Sequence, residues 1–133
     1  MKKRLQGYIF SRSFLDERVP QHVQNLVIRD YCERKGCIYL LSATEYAMEH
    51  CHLMLKNILN DLESIDGIVA YSLFQLPEDT NERQNIYSKV LANKKSLHFA
   101  VEGLEIKSES DKEHIESIWQ IRKILPLCAK NTK

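Results

Sequence analysis

The residues of this chain best suited to chemistry collect in four short polar stretches. Ser11, Arg12, Arg18, Gln21 and His22 form the first, and Ser42, Thr44, Glu45 and Tyr46 the second. Ser72, Gln75 and Glu78 form the third, and Glu102 marks the fourth. An arginine fork grips a carboxylate or phosphate through two parallel bonds, and helix amino termini add partial positive charge. Glu45, Glu78, Glu102 and His22 are the candidate catalytic groups, able to move a proton if a substrate lies close. The remaining arginines, serines, threonine, glutamines and tyrosine are the candidate ligand-binding groups. The set suits a sugar, a sugar phosphate or a nucleotide sugar. The plainer alternative is that loops are polar anyway and that Arg18 only caps its own helix. His98, inside an apolar run, reads as a satisfied sheet histidine.

Four βα-type units are expected to position these groups. Leu5–Phe10 is an apolar run that feeds a polar loop and then Pro20, which suits a first helical position. A helix over 20–36 follows, ended by Gly36, with Val23, Leu26, Val27 and Tyr31 as its buried stripe. A second strand spans 37–41, and a second helix runs to about Glu63 with Ala47, Cys51, Met54, Leu55, Ile58 and Leu62 on one face. The third strand, 67–73, is the most apolar and belongs at the centre of the sheet. Asp79 and Glu82 suggest a capped helix to about Asn93, and a fourth strand spans 97–101. Ser110 and Glu113 open a last helix over about 110–125, stopped by Pro126. Alternation of this kind predicts one α/β domain over 1–133, with a core of about 5–106. The architecture is three-layered and flavodoxin-like, with a mostly parallel sheet in the order 2-1-3-4. Its switch point lies between the first and third strands, where such sheets bind ligands.

Composition narrows the function classes. The chain has 133 residues, enough for one core, and a formal net charge of +1. No global field therefore steers it toward nucleic acid or an anionic membrane. No apolar run reaches the roughly 20 residues of a membrane span, and the basic start Met1–Arg4 precedes a run too short for an export signal. A cytoplasmic location is expected, without membrane or specific nucleic-acid partners. Cys32, Cys37, Cys51 and Cys128 form no paired motif and are expected to be free. His50-Cys51-His52 invites a metal, but on a helix residues two apart face different ways, so no metal site is expected. The four scattered glycines build no phosphate loop or dinucleotide fingerprint, so no cofactor is expected. A nucleophile elbow is absent too.

Two resemblances add to this reading. Gly7-Tyr8-Ile9-Phe10-Ser11-Arg12, then Gln21 or Gln24, then Gly36, resembles the start of the catalytic domain of serine resolvase/invertase recombinases. The stretch Phe74-Gln75-Leu76-Pro77-Glu78 stands where that family carries a D-R-L-x-R motif. The resemblance implies the fold, but the chemistry departs from it. Phe10 replaces an arginine, Arg12 occupies the nucleophile's place, and Gln75 and Glu78 replace the later arginine pair. Ser11 or Ser13 would be a displaced nucleophile without the positive charge a phosphodiester transition state needs. A helix-turn-helix domain of the kind that family carries is not expected here.

The segments 18–31, 41–47, 71–78 and 97–103 resemble the sporadic carbohydrate cluster proteins, a bacterial family linked to surface-carbohydrate biosynthesis. That likeness implies a pathway rather than a reaction. The leading expectation is a sugar-handling protein of that pathway, leaning to a small enzyme and not an active serine recombinase. A degenerate recombinase-like DNA-binding protein and a non-catalytic assembly partner are the alternatives. In the last helix, Ile115, Ile118, Trp119 and Leu125 form one apolar stripe, and Ile121 and Ile124 extend it to a second side. A homodimer or higher homo-oligomer is therefore expected.

Overall fold

The computed structural model describes residues 2–14 and 18–131, with side chains described as far as Arg122. Expectations for Leu15–Glu17 and for the side chains of Ile124, Leu125 and Cys128 lie outside the described residues.

The strands are β1 (Arg4–Phe10), β2 (Ile38–Glu45), β3 (Gly67–Ala70), β4 (Ser96–Phe99) and β5 (Leu104–Ile106). The helices are α1 (Gln21–Arg34), α2 (Leu53–Leu59), α3 (Thr80–Ala92) and α4 (Glu109–Asn131). The sheet order is 2-1-3-4-5, parallel except for β5, which pairs antiparallel with β4. The expected order is thus found and extended by one strand. Three residues are too few to show a pattern in sequence, and the turn before β5 needs the left-handed φ of +66° at Gly103.

The sheet is covered on both faces because β1 and β3 are apolar on both sides. Leu5, Ile9 and Val69 pack with Ile28, Tyr31 and Cys32 of α1. Tyr8, Phe10, Ile68, Leu97 and Phe99 pack on the opposite face with α2, α3 and α4. The stripe of α1 is rotated from the expected one. Gln24, Ile28, Tyr31 and Cys32 are its buried residues, while Leu26 is 56% exposed. Periodicity alone could not choose between two stripes one residue apart, because the deciding residue is a buried glutamine.

Strand β2 also runs four residues past its expected end, so Ser42, Thr44 and Glu45 lie within the strand and not in a loop. Its pairing with β1 jumps from Gln6↔Leu40 to Tyr8↔Ala43, a bulge opposite Gly7. The extra residue reverses the facing of the side chains beyond it. Glu45, paired with Phe10, consequently points to the same face as Leu40. Gly7 is required there: a methyl group on it would collide with the Ser42 hydroxyl and come within 3.0 Å of Ser42 Cα.

Helix α2 starts at Leu53, six residues later than expected, so Ala47 and Cys51 are not helical. His50 and His52 therefore do not lie on a helix that would point them apart, and His50 has a left-handed φ of 60°. Among the described residues no group of three or more His, Cys, Asp or Glu side chains is placed to hold a metal. Cys32, Cys37 and Cys51 are free. Neither expected capping box forms. Asp79 makes no side-chain cap bond, and α4 opens instead on Ser108 and Asp111, whose carboxylate accepts from Lys107 N–H at 3.0 Å. A box does form at Ser72 and Gln75, around a 3-10 turn over Leu73–Gln75. Pro126 does not end α4, which passes through it to Asn131. A proline removes one helical hydrogen bond, and the turns on either side carry the helix past it. No described helix is long and apolar enough to cross a membrane.

Candidate functional site

The strand-exit residues divide into a saturated floor and an open wall. On the floor, Glu45 is 1% exposed. Its carboxylate accepts from Tyr8 O–H at 2.9 Å and from the backbone N–H groups of Tyr46, Met54 and Leu55 at 3.1 to 3.3 Å. It therefore satisfies the first N–H groups of α2 from a neighbouring strand. Burial alone would raise the pKa of this group, but the hydrogen bonds from Met54, Tyr8, Tyr46 and Leu55 outweigh it and hold the carboxyl below its ordinary value. Glu45 is thus an anchor with no capacity left for proton transfer.

Three more polar groups are absorbed in the same way. Gln24 donates to Phe10 O and Val19 O at 2.9 Å and accepts from Phe10 N–H at 3.0 Å. It so continues the sheet's hydrogen bonding beyond the end of β1. It also accepts from Gln75 Nε2 at 2.8 Å, which ties the first strand exit to the third. Glu102 accepts from the Ser72 hydroxyl at 2.7 Å and from Leu73 N–H at 3.0 Å. Ser42 pairs with the Tyr39 hydroxyl at 2.7 Å. Glu45, Glu102, Gln75, Ser72 and Ser42, all expected as site residues, each have an internal hydrogen-bond partner in this fold.

Above this floor a cavity of about 540 Å³ opens at the carboxyl ends of β1 and β3. Phe10, Phe14, Phe74 and Trp119 form its apolar walls. Arg12, Arg122, Glu49 and Glu78 supply charge, and Ser13, His50 and His52 complete the lining with Leu76. The Arg12 guanidinium lies 4.0 Å above the Phe10 ring and donates to Tyr46 O at 2.9 Å. Phe74 meets Trp119 edge-on at 5.1 Å. His52 donates from Nε2 to Gln75 O at 3.1 Å, and burial together with the charge of Arg12 pushes its pKa down. It is a neutral ring near pH 7.

The back of the cavity is braced by Arg83, which is fully buried. It pairs with both carboxylate oxygens of Glu116 at 2.8 and 2.9 Å and donates to Pro77 O and Glu78 O. Its guanidinium also lies 4.2 Å over the Trp119 ring. Trp119 Nε1 is buried and has no hydrogen-bond partner among the described residues.

Of the expected site residues, only Arg12 and Glu78 line this cavity. Ser11 is adjacent, but its hydroxyl donates to Glu45 O at 2.8 Å. Arg18, Gln21, His22 and Tyr46 are exposed and outside the lining, and Thr44 lies within β2. The residues missed were His52, Glu49, Trp119 and Arg122. Trp119 and Arg122 come from a helix that starts after the last strand, and only tertiary packing returns it to the switch point. The signal available was the single tryptophan three residues before an arginine, one helical turn apart.

No family model matches the chain, and no curated protein matches it significantly. Solved structures do. The N-terminal catalytic domain of TP901-1 integrase aligns with a TM-score of 0.57 and 15% identity, over 92% of this chain and 98% of that one. A resolvase family site-specific recombinase from Streptococcus pneumoniae aligns with a TM-score of 0.65 and 8% identity, over 96% and 95%. The chain therefore has the α/β fold of resolvase-type catalytic domains. The likeness to the sporadic carbohydrate cluster proteins finds no support in these comparisons.

Proposed function

We propose that this chain is a DNA-binding protein built on the resolvase fold that does not carry out strand transfer. The observation that carries the reading is the cavity at the switch point, where Arg12 stands over Phe10 and Arg122 faces the same space. Fold likeness to recombinases raises this reading above carbohydrate handling, as an argument from analogy. It also replaces the expectation of no nucleic-acid partner.

The same geometry argues against recombination. A serine attacking a phosphodiester needs a free hydroxyl and several converging cations. Ser11 is engaged by Glu45 O, and around Ser13 in the cavity lining the two arginines are offset by Glu49 and Glu78. Carbohydrate handling keeps one observation in its favour, namely that these two carboxylates could accept bonds from sugar hydroxyls. Self-association through α4 is part of the proposal as well, since Ile121 is 58% exposed on that helix.

Fluorescence anisotropy with labelled single-stranded and duplex DNA, at low and physiological salt, tests the reading. Binding that weakens with salt and leaves no covalent adduct is expected. Saturable thermal shifts with nucleotide sugars, without DNA binding, would overturn it in favour of carbohydrate handling. An adduct lost in Ser11→Ala or Ser13→Ala would overturn the non-catalytic part alone.

A further inference from the structure

We infer that the cavity holds one unpaired nucleotide, its base against the aromatic walls and its single phosphate on Arg12 and Arg122. The inference rests on the DNA-binding reading for the origin of that nucleotide, but its chemistry is read from the cavity itself. Phe14 and Phe74 are half-buried and offer ring surface to one space, whose lining also includes the buried rings of Phe10 and Trp119. Aromatic walls of this kind accept any base, because every base has a π face. A base inside a duplex has both faces stacked and its edge paired, so only an unpaired one can enter. The volume of about 540 Å³ lies within the range of roughly 300–1,000 Å³ typical of small-molecule sites.

Charge selects the size of the anion. Two arginines and two glutamates line the cavity, and His52 is held neutral by burial and by Arg12. A run of phosphates would meet Glu49 and Glu78, whereas a single phosphate can sit on the arginine side while the carboxylates accept from base or sugar donors. Arg12 already has one guanidinium face on Phe10 and one N–H on Tyr46 O, so its position is set before a ligand arrives.

Trp119 is the chain's single tryptophan, so its fluorescence reports on the cavity directly. The probes are thymidine 5′-monophosphate, a short oligothymidylate and a duplex of the same length. Saturable quenching by the mononucleotide and by the single strand is expected. Arg122→Gln and Phe74→Leu should each weaken it roughly tenfold or more, while circular dichroism melts confirm that both variants fold. No quenching by either probe, or quenching that neither variant changes, overturns the inference. Tight duplex binding insensitive to both variants leaves the DNA-binding reading standing while this inference fails. Quenching by the mononucleotide alone, with no binding of either DNA, keeps the nucleotide site and removes the DNA reading.

Discussion

Glu45 and Glu78 both stand at the mouth of the sheet, yet they belong to different parts of the molecule. Glu45 is buried and accepts from one hydroxyl and three backbone N–H groups. Glu78 is exposed at the third strand exit, where it lines the cavity and its backbone carbonyl is held by Arg83. The contrast extends to the whole strand-end set. Glu45, Gln24, Gln75 and Glu102 hold backbone from within, while Arg12, Arg122, Glu49 and Glu78 line an open space. A polar residue whose capacity is filled by the fold contributes stability, and one with capacity left over can contribute binding. Residue type does not separate the two groups; partners do.

Substitutions can break this division, and the largest effect belongs to the floor. Glu45→Ala would leave the α2 N–H groups and the Tyr8 hydroxyl without an acceptor. A loss of about 4 kcal/mol is expected, since each buried unsatisfied group costs about 1–3 kcal/mol. Urea denaturation checks this, and a change below about 1 kcal/mol would place Glu45 with the wall.

The next effect comes from a saturated group on the α1 face. Tyr31 Oη lies 2.7 Å from His98 Nδ1, and Ser96 Oγ lies 2.7 Å from its Nε2. Burial pushes the pKa of His98 down to about 4 from 6.5, although Glu105 at 3.5 Å pulls the other way. The unfolded chain therefore binds a proton that the folded chain refuses between these values. Stability is complete above about pH 6.5 and declines as pH falls toward 4, by up to about 3 kcal/mol. Comparing wild type with His98→Asn at pH 7 and at pH 4.5 checks it, because the variant should lose this slope. Glu45 adds its own decline only below its ordinary value of 4.5.

Gly7→Ala follows, because its methyl group meets Ser42 at the bulge that turns Glu45 inward. Overpacking of this kind costs about 2 kcal/mol, and it should appear as a lower thermal midpoint. The smallest effects belong to the wall and to the exposed side of α4. Glu78→Gln and Ile121→Glu should each change stability by less than about 0.5 kcal/mol. Sedimentation then separates Ile121→Glu from wild type: a change from dimer to monomer supports association through α4, and a wild-type monomer ends that idea.

Much of the scaffold was legible because strands and helices write their periods into sequence. Apolar runs marked β1, β3 and β4 to within a few residues, and Pro20 and Gly36 bracketed α1, with Pro20 as the cap and Gly36 at a left-handed φ of 68°. The start of α2 was not legible. Its first N–H groups are satisfied by Glu45, eight residues upstream of Leu53 and on another element, where a cap of local sequence would have been sought. The end of strand β2 is hidden for a related reason, since Ser42, Thr44 and Glu45 read as a polar loop while pairing with β1 makes them strand.

The sequence by itself determined the alternation of strands and helices, the sheet order through right-handed crossovers, and hence the end of the sheet where a site would lie. Tertiary structure alone decided which polar residues there are consumed and which remain available. Gln24 meets Gln75 across 51 positions, Tyr8 meets Glu45 across 37, and Arg83 meets Glu116 across 33. Periodicity reports whether a residue faces inward, but a buried polar group must also find a partner of matching geometry, and such partners come from distant parts of the chain.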